Sequence, residues 1–260
     1  MKAKNIMKTK GIIILALIIG MGFTSCRKSM FIAGNRNVST QTRELDSFSK
    51  LANNGSFEVV IIKDTATYVI VEAESNLIPH ILTYIDNGAL IIDSHENLNN
   101  HRNMILKVHT PHLEAVQLNG SGNIDFETFT SEQFSAVVDG SGNIKGSALC
   151  TDAYLRIDGS GNLSIGLECN ELDASIHGSG SIRMVGQGQT SIIGIYGSGD
   201  IKDYDFVQEN CEVVSNGSGN VYLTVTQSLK AKIEGSGSVH YMGDPLVHSE
   251  INGSGSVIKH

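Results

Sequence analysis

Gly120-Ser121-Gly122 is the first of eight copies of one tripeptide. The others are Gly140-Ser141-Gly142, Gly159-Ser160-Gly161, Gly178-Ser179-Gly180, Gly197-Ser198-Gly199, Gly217-Ser218-Gly219, Gly235-Ser236-Gly237 and Gly253-Ser254-Gly255. Their first glycines are 20, 19, 19, 19, 20, 18 and 18 residues apart. A short unit at a nearly fixed period marks a solenoid, whose turns touch only their neighbours.

The flanks show what each unit builds. Two residues before the first glycine stand Leu118, Val138, Ile157, Ile176, Ile195, Ser215, Ile233 and Ile251. Four residues after it stand Ile124, Ile144, Leu163, Ile182, Ile201, Val221, Val239 and Val257. Four before it the residue is apolar or small, from Val116 to Ser249. Polar residues such as Gln117, Asp173, Lys145 and Lys202 lie between. Alternation of period two on both sides gives two short strands per unit, both facing one core. The predicted fold is all-β: a single-stranded parallel β-helix of about 18–20 residues per turn, with aliphatic side chains stacked in columns. Eight turns at ~4.8 Å span roughly 38 Å.

The two glycines allow positive φ and so suit a sharp corner between the strands. A catalytic serine would be singular, so eight in one column read as corner hydroxyls that satisfy backbone groups. The column after each tripeptide (Asn123, Asn143, Asn162, Ser181, Asp200, Asn220, Ser238, Ser256) reads as a side-chain hydrogen-bond ladder. Two positions break the pattern. Asp203 stands where Phe126, Ile165, Met184 and Leu223 stand in other turns, and Ser215 interrupts an aliphatic column. A bulge or loop is expected there.

The chain has 260 residues, no Trp and a formal net charge of −8. The first 25 residues hold four lysines and no acid, so the remainder carries −12. That charge argues against nucleic acid as a partner and against anionic membrane surfaces. Residues 11–23 form an apolar run too short for a comfortable span and suited to a signal peptide. The run ends in Phe23-Thr24-Ser25-Cys26, which resembles a bacterial lipobox. Cys26 is then the lipidation site and the membrane anchor, since several acyl chains hold stably where one is marginal. No acid follows Cys26 directly, which favours the outer membrane; the leaflet stays open. The expected divisions are a signal peptide at 1–25, a flexible tether at 26–44, a β-rich cap or irregular first coils at 45–117, and the repeat helix at 118–260.

Within the cap, residues 57–62, 68–73 and 104–110 read as strands. Residues 76–82, around Pro79, read as a turn or short helix. Asn87-Gly88 between two apolar runs reads as a two-residue hairpin. Here a family resemblance enters. Leu45-Asp46-Ser47-Phe48, Gly55-Ser56-Phe57-Glu58-Val59, Asp86-Asn87-Gly88-Ala89-Leu90-Ile91-Ile92, Thr110-Pro111-His112-Leu113-Glu114 and the serial Gly-Ser-Gly units occur in that order. Together they resemble the bacterial family called putative autotransporter adhesin, head GIN domain (DUF2807), from about Leu45 onward. The resemblance implies a β-helical envelope protein, and it brings no catalytic motif.

Chemistry is thin elsewhere. Cys150 and Cys169 both lie nine residues before a repeat glycine, so they should stack, either as a buried thiol ladder or as a bridge. With Cys211 they do not match a zinc spacing. His95, His101, His109 and His112 form no ligand pattern. Asp139, Asp158 and Asn119 share a column and could hold Ca²⁺, but His177, Tyr196 and Asn216 continue it. No metal or other cofactor is expected. Arg156, Asp158 and Arg183 do not make the concentrated acidic cluster of a polysaccharide lyase or hydrolase. Tyr196, Tyr222 and Tyr241 are candidates for a glycan platform if they share one face at a groove. The expected role is a non-catalytic adhesion or ligand-presenting scaffold. Its partners would be a membrane through Cys26, glycans or other proteins, and a further copy through the open edge near Val257-Ile258. The alternative is a polysaccharide-binding or polysaccharide-processing β-helix.

Overall fold

The structure, a computed structural model, describes residues 31–260. The signal peptide and Cys26 lie outside the described residues. Strands make up most of the described chain, and its one helical element is the 3-10 turn at Ile78–His80, with Pro79 inside it.

The predicted columns are the observed register. Leu118, Val138, Ile157, Ile176, Ile195, Ser215, Ile233 and Ile251 occupy successive rungs of one parallel sheet. The opposite sheet stacks Ile124, Ile144, Leu163, Ile182, Ile201, Val221, Val239 and Val257. All but the last rung of each column is buried. The sheets meet at the Gly-Ser-Gly corners. On the other side, long strands such as Asn162–Gly178 and Val221–Ile233 bend from one sheet into the other. Each fully buried aliphatic side chain contributes ~1.5–3 kcal/mol. Parallel pairing to the coils above and below satisfies the backbone.

Close approach is what excludes side chains from the corners. The carbonyl oxygen of Gly120 accepts the amides of Ser141 (3.0 Å) and Gly142 (3.1 Å) from the next coil, and that of Gly140 accepts those of Ser160 and Gly161. A Cβ on Gly140 would overlap the Gly120 carbonyl oxygen; one on Gly161 would overlap that of Gly142. Positive φ, which the glycines allow, is found among the corner glycines only at Gly140, Gly159 and Gly178. The serine reading also needs correction. The corner serines pair through their amides, and their side chains are exposed, with no hydroxyl hydrogen bond among the described residues. The next column does form a ladder, in two modes. Asn143 Nδ2 donates to Asn123 Oδ1 (2.9 Å) and Asn162 Nδ2 to Asn143 Oδ1 (2.8 Å). Further along, Asp200 Oδ1 and Asn220 Oδ1 accept backbone amides from the following coil, both at 2.9 Å.

The irregularity falls at Asp203, whereas Ser215 stays in register between Ile195 and Ile233 and is buried. Asp203 pairs with Leu223, and the next pair is Val207 with Thr224, so Tyr204, Asp205 and Phe206 bulge out of register. Phe206 turns inward and is fully buried. Gly188 makes room for it, because a Cβ there would lie 2.8 Å from the ring. Asp203 is also fully buried. One carboxyl oxygen accepts the Met184 amide at 3.2 Å, and the other has no partner. Burial drives its pKa well above the ordinary aspartate range, which favours the neutral carboxyl.

The amino-terminal end is built out of sequence order. Lys50–Asn53 lies between Ala89–Ser94 and Ala115–Gly120, parallel to both. Glu58–Lys63 likewise lies between Ile105–Thr110 and Asn123–Thr130. The later coil is therefore stacked outside the earlier one. Antiparallel strands then close this end: Ile81–Asp86 on Ala89–Ser94, Tyr68–Glu74 on Ile105–Thr110, and Val38–Glu44 on Tyr68–Glu74. Asn87 and Gly88, at φ 48° and 76°, form the expected hairpin turn. The segment expected to be a tether is strand at Phe31–Ala33 and Val38–Glu44. Two side chains hold it. Buried Glu74 accepts the amides of Arg36 and His101. The Arg43 guanidinium donates to the carbonyls of Ile81 (2.7 Å) and Ile78 (3.0 Å).

Candidate interaction surface

Positions that alternate with the core columns form flat outward ladders. On the sheet before the corners, two neighbouring ladders carry a continuous side-chain chain. Arg156 donates to both carboxylate oxygens of Asp158, at 2.7 and 3.1 Å. Asp158 lies 3.6 Å from His177 Nδ1, and His177 stacks on Tyr196 with centroids 4.6 Å apart and planes 14° apart. Hydrogen bonding to Asp158 raises the Arg156 pKa further, so this cation is permanent. Beside the chain runs a trough of about 230 Å³ between Tyr154, Ile192 and Tyr196, with Ser175 and Gly194 in its lining. Ile192 is 54% exposed and Tyr196 46%. Gly194 lets the tyrosine ring lie back, since a Cβ there would meet Cε2 at 2.8 Å. The trough thus exposes apolar and aromatic surface beside a fixed ion pair.

The other candidates are dispersed. Arg183 lies on the opposite sheet and pairs with Asp205 at 3.1 Å, so it does not join Arg156 and Asp158. Tyr222 is also on that sheet, stacked on His240 at 4.8 Å, and Tyr241 packs against the core. Tyr154 was not among the sequence candidates, because its offset from the corner glycine differs from that of Tyr196. His109 is held by Asp64 at 2.9 Å and stacks on Tyr68 at 4.2 Å; the hydrogen bond from His109 lowers the Asp64 pKa. Asp158 is engaged by Arg156 and His177 rather than by Asp139 as a calcium pair. No cluster of three or more metal-ligating side chains occurs among the described residues.

A second, more polar groove of about 620 Å³ follows the far corner, past Glu168, Gln187, Gln189 and Glu209. Cys150 and Cys169 lie in its lining on adjacent coils, both free. Burial pushes their thiols up to about 11 and about 12, so neither is a ready nucleophile.

The comparisons agree with this architecture. No curated relative matches the chain. A protein described as a putative lipid binding protein from Parabacteroides distasonis ATCC 8503 superposes with a TM-score of 0.84 at 27% identity, over 89% of this chain and 100% of that one. A putative adhesin from Parabacteroides merdae ATCC 43184 shares the fold at a TM-score of 0.81 and 22% identity, over 88% of this chain and 99% of that one. A putative adhesin from Bacteroides fragilis NCTC 9343 shares it at 0.68 and 19%, over 88% and 100%. Residues 47–245 match one family model, and with the glycine-cornered coils they place the chain in the family described as putative auto-transporter adhesin, head GIN domain.

Proposed function

We propose that the protein is an exported lipoprotein, anchored to the outer membrane through Cys26, whose stacked coils hold a non-catalytic binding face at the cell envelope. The observation that carries this reading is the trough at Tyr154, Ile192 and Tyr196, a fixed apolar and aromatic surface on a polar rod. Family membership supports adhesion as the role. A rigid sheet favours such a role, because little conformational entropy is lost when a partner docks.

An array of glycans and matrix proteins, probed with the chain from Arg27 onward, tests it. Binding that weakens tenfold or more in Tyr196→Ala or Ile192→Ser is expected. Binding unchanged in both would move the site elsewhere. A polysaccharide-binding reading is favoured by the two tyrosines bordering one trough, as flat rings suit sugar faces. In that case the array signal is confined to glycans. Processing would additionally release shortened chains.

A further inference from the structure

We propose that the last coil is the docking surface for a second copy of this chain, paired antiparallel across a two-fold axis at Ser249. The two ends of the rod differ. Antiparallel strands close the amino-terminal end. At the other end, among the described residues, Leu246–Ile251 is paired only with Val221–Ile233, and Val257–Lys259 only with Val239–Met242. Both sheets therefore present an open edge at the same level. Val247, Ser249 and Ile251 continue the inward columns of Leu229, Ala231 and Ile233, so the core ladder ends in solvent. Leu246 is 81% exposed, and Val247, Ile251 and Ile258 are exposed beside it.

The backbone fixes the register. In a strand, alternate residues direct their amide and carbonyl to the same side. Asn252 donates to Ile233, so residues of its parity face the body of the protein. Those of Val247, Ser249 and Ile251 face outward. An antiparallel partner centred on Ser249 sets Ser249 against Ser249, and Val247 against Ile251 of the second copy. These are the hydrogen-bonding pairs of an antiparallel ladder, and they bury the two exposed apolar side chains against each other.

Charge agrees with the same register. It sets His248 opposite Glu250 of the second copy, twice. Lys230 Nζ is 2.8 Å from Glu212, and His248 follows Lys230 in that column. Lys232 stands behind Glu250. Across the junction one outward column reads Glu212, Lys230, His248, then Glu250 and Lys232 of the second copy. Acids thus meet bases on both sides of the axis, where a pairing shifted by two residues would set Glu250 against Glu250.

The test uses the full chain in detergent micelles. Sedimentation should show a monomer–dimer equilibrium that stops at two. Ser249→Cys, oxidised with copper phenanthroline, should trap a dimer that the parent chain does not form. Val247→Cys should not cross-link to itself but should cross-link to Ile251→Cys. Glu250→Lys should weaken the dimer about tenfold, given two cross-strand pairs. A mixture of Glu250→Lys with His248→Glu should restore it, which guards against mere damage to the coil. Monomer at every concentration, self-cross-linking of Val247→Cys, growth beyond two as in head-to-tail stacking, or a dimer indifferent to Glu250→Lys would each overturn the proposal.

Discussion

At the residue scale, two kinds of position carry opposite predictions. The corner glycines are fixed by the carbonyl of the coil before them, so Gly161→Ala should destabilise by about 1–3 kcal/mol through overpacking. Ser160→Ala, one position away and exposed, should change stability by less than about 0.5 kcal/mol. Paired thermal melts check the contrast. Asp203 is the reverse case, a buried acid with one carboxyl oxygen unpartnered. Asp203→Leu should stabilise by about 1 kcal/mol, the relief of an unsatisfied polar group offset by the loss of the Met184 contact. The sign with pH follows from linkage. The folded state holds this proton to higher pH than the unfolded state, so wild-type stability falls as pH rises above the ordinary aspartate range. The advantage of Asp203→Leu should therefore be larger at pH 7 than at pH 4. An advantage constant with pH would mean that Asp203 ionises in place.

At the scale of the strand and the coil, stability rests on the columns. Ile176 sits between Ile157 and Ile195 with no exposure, and Ile176→Ala should cost about 2–5 kcal/mol in chemical denaturation. Ser215 occupies the same column with an unpartnered hydroxyl, and Ser215→Val should stabilise by about 1 kcal/mol. The cap has its own signature. Desolvation pushes the Glu74 carboxyl up, but the amides of His101, Arg36 and Arg102 pull its pKa below the usual glutamate value. Its contribution is present above that usual value and is lost as pH falls through the lowered one. The difference in thermal midpoint between wild type and Glu74→Gln should accordingly shrink on acidification.

These elements also show where the sequence could be read. The register from Leu118 to Ile251 was legible because every turn repeats the same offsets. The bulge was legible because Asp203 breaks an apolar column. The inverted order of the first coils was not, since Lys50–Asn53 and Ala89–Ser94 carry similar alternating patterns and nothing local says which lies outside. The tether reading failed for a related reason. Val38–Glu44 is polar after Val38, as an edge strand of a cap can be, and its anchors Glu74 and Ile81 are more than thirty residues away. Within the trough, Tyr196 was visible as an exposed candidate. Its neighbours Tyr154 and Ile192 became neighbours only once the coils were stacked.

For the whole molecule, the central claim is that one glycine-cornered coil lies directly on the next, so that length grows by a fixed step per repeat. Spin labels at the exposed corners measure that step in a chain lacking its native cysteines. Labels at Ser121 and Ser198 are four coils apart, at Ser121 and Ser236 six, and at Ser121 and Ser254 seven. At ~4.8 Å per coil the double electron–electron resonance distances should centre near 19, 29 and 34 Å, rising linearly. Distances that fail to grow with the number of intervening coils, or that spread broadly at the longest pair, would contradict the stacked-coil account.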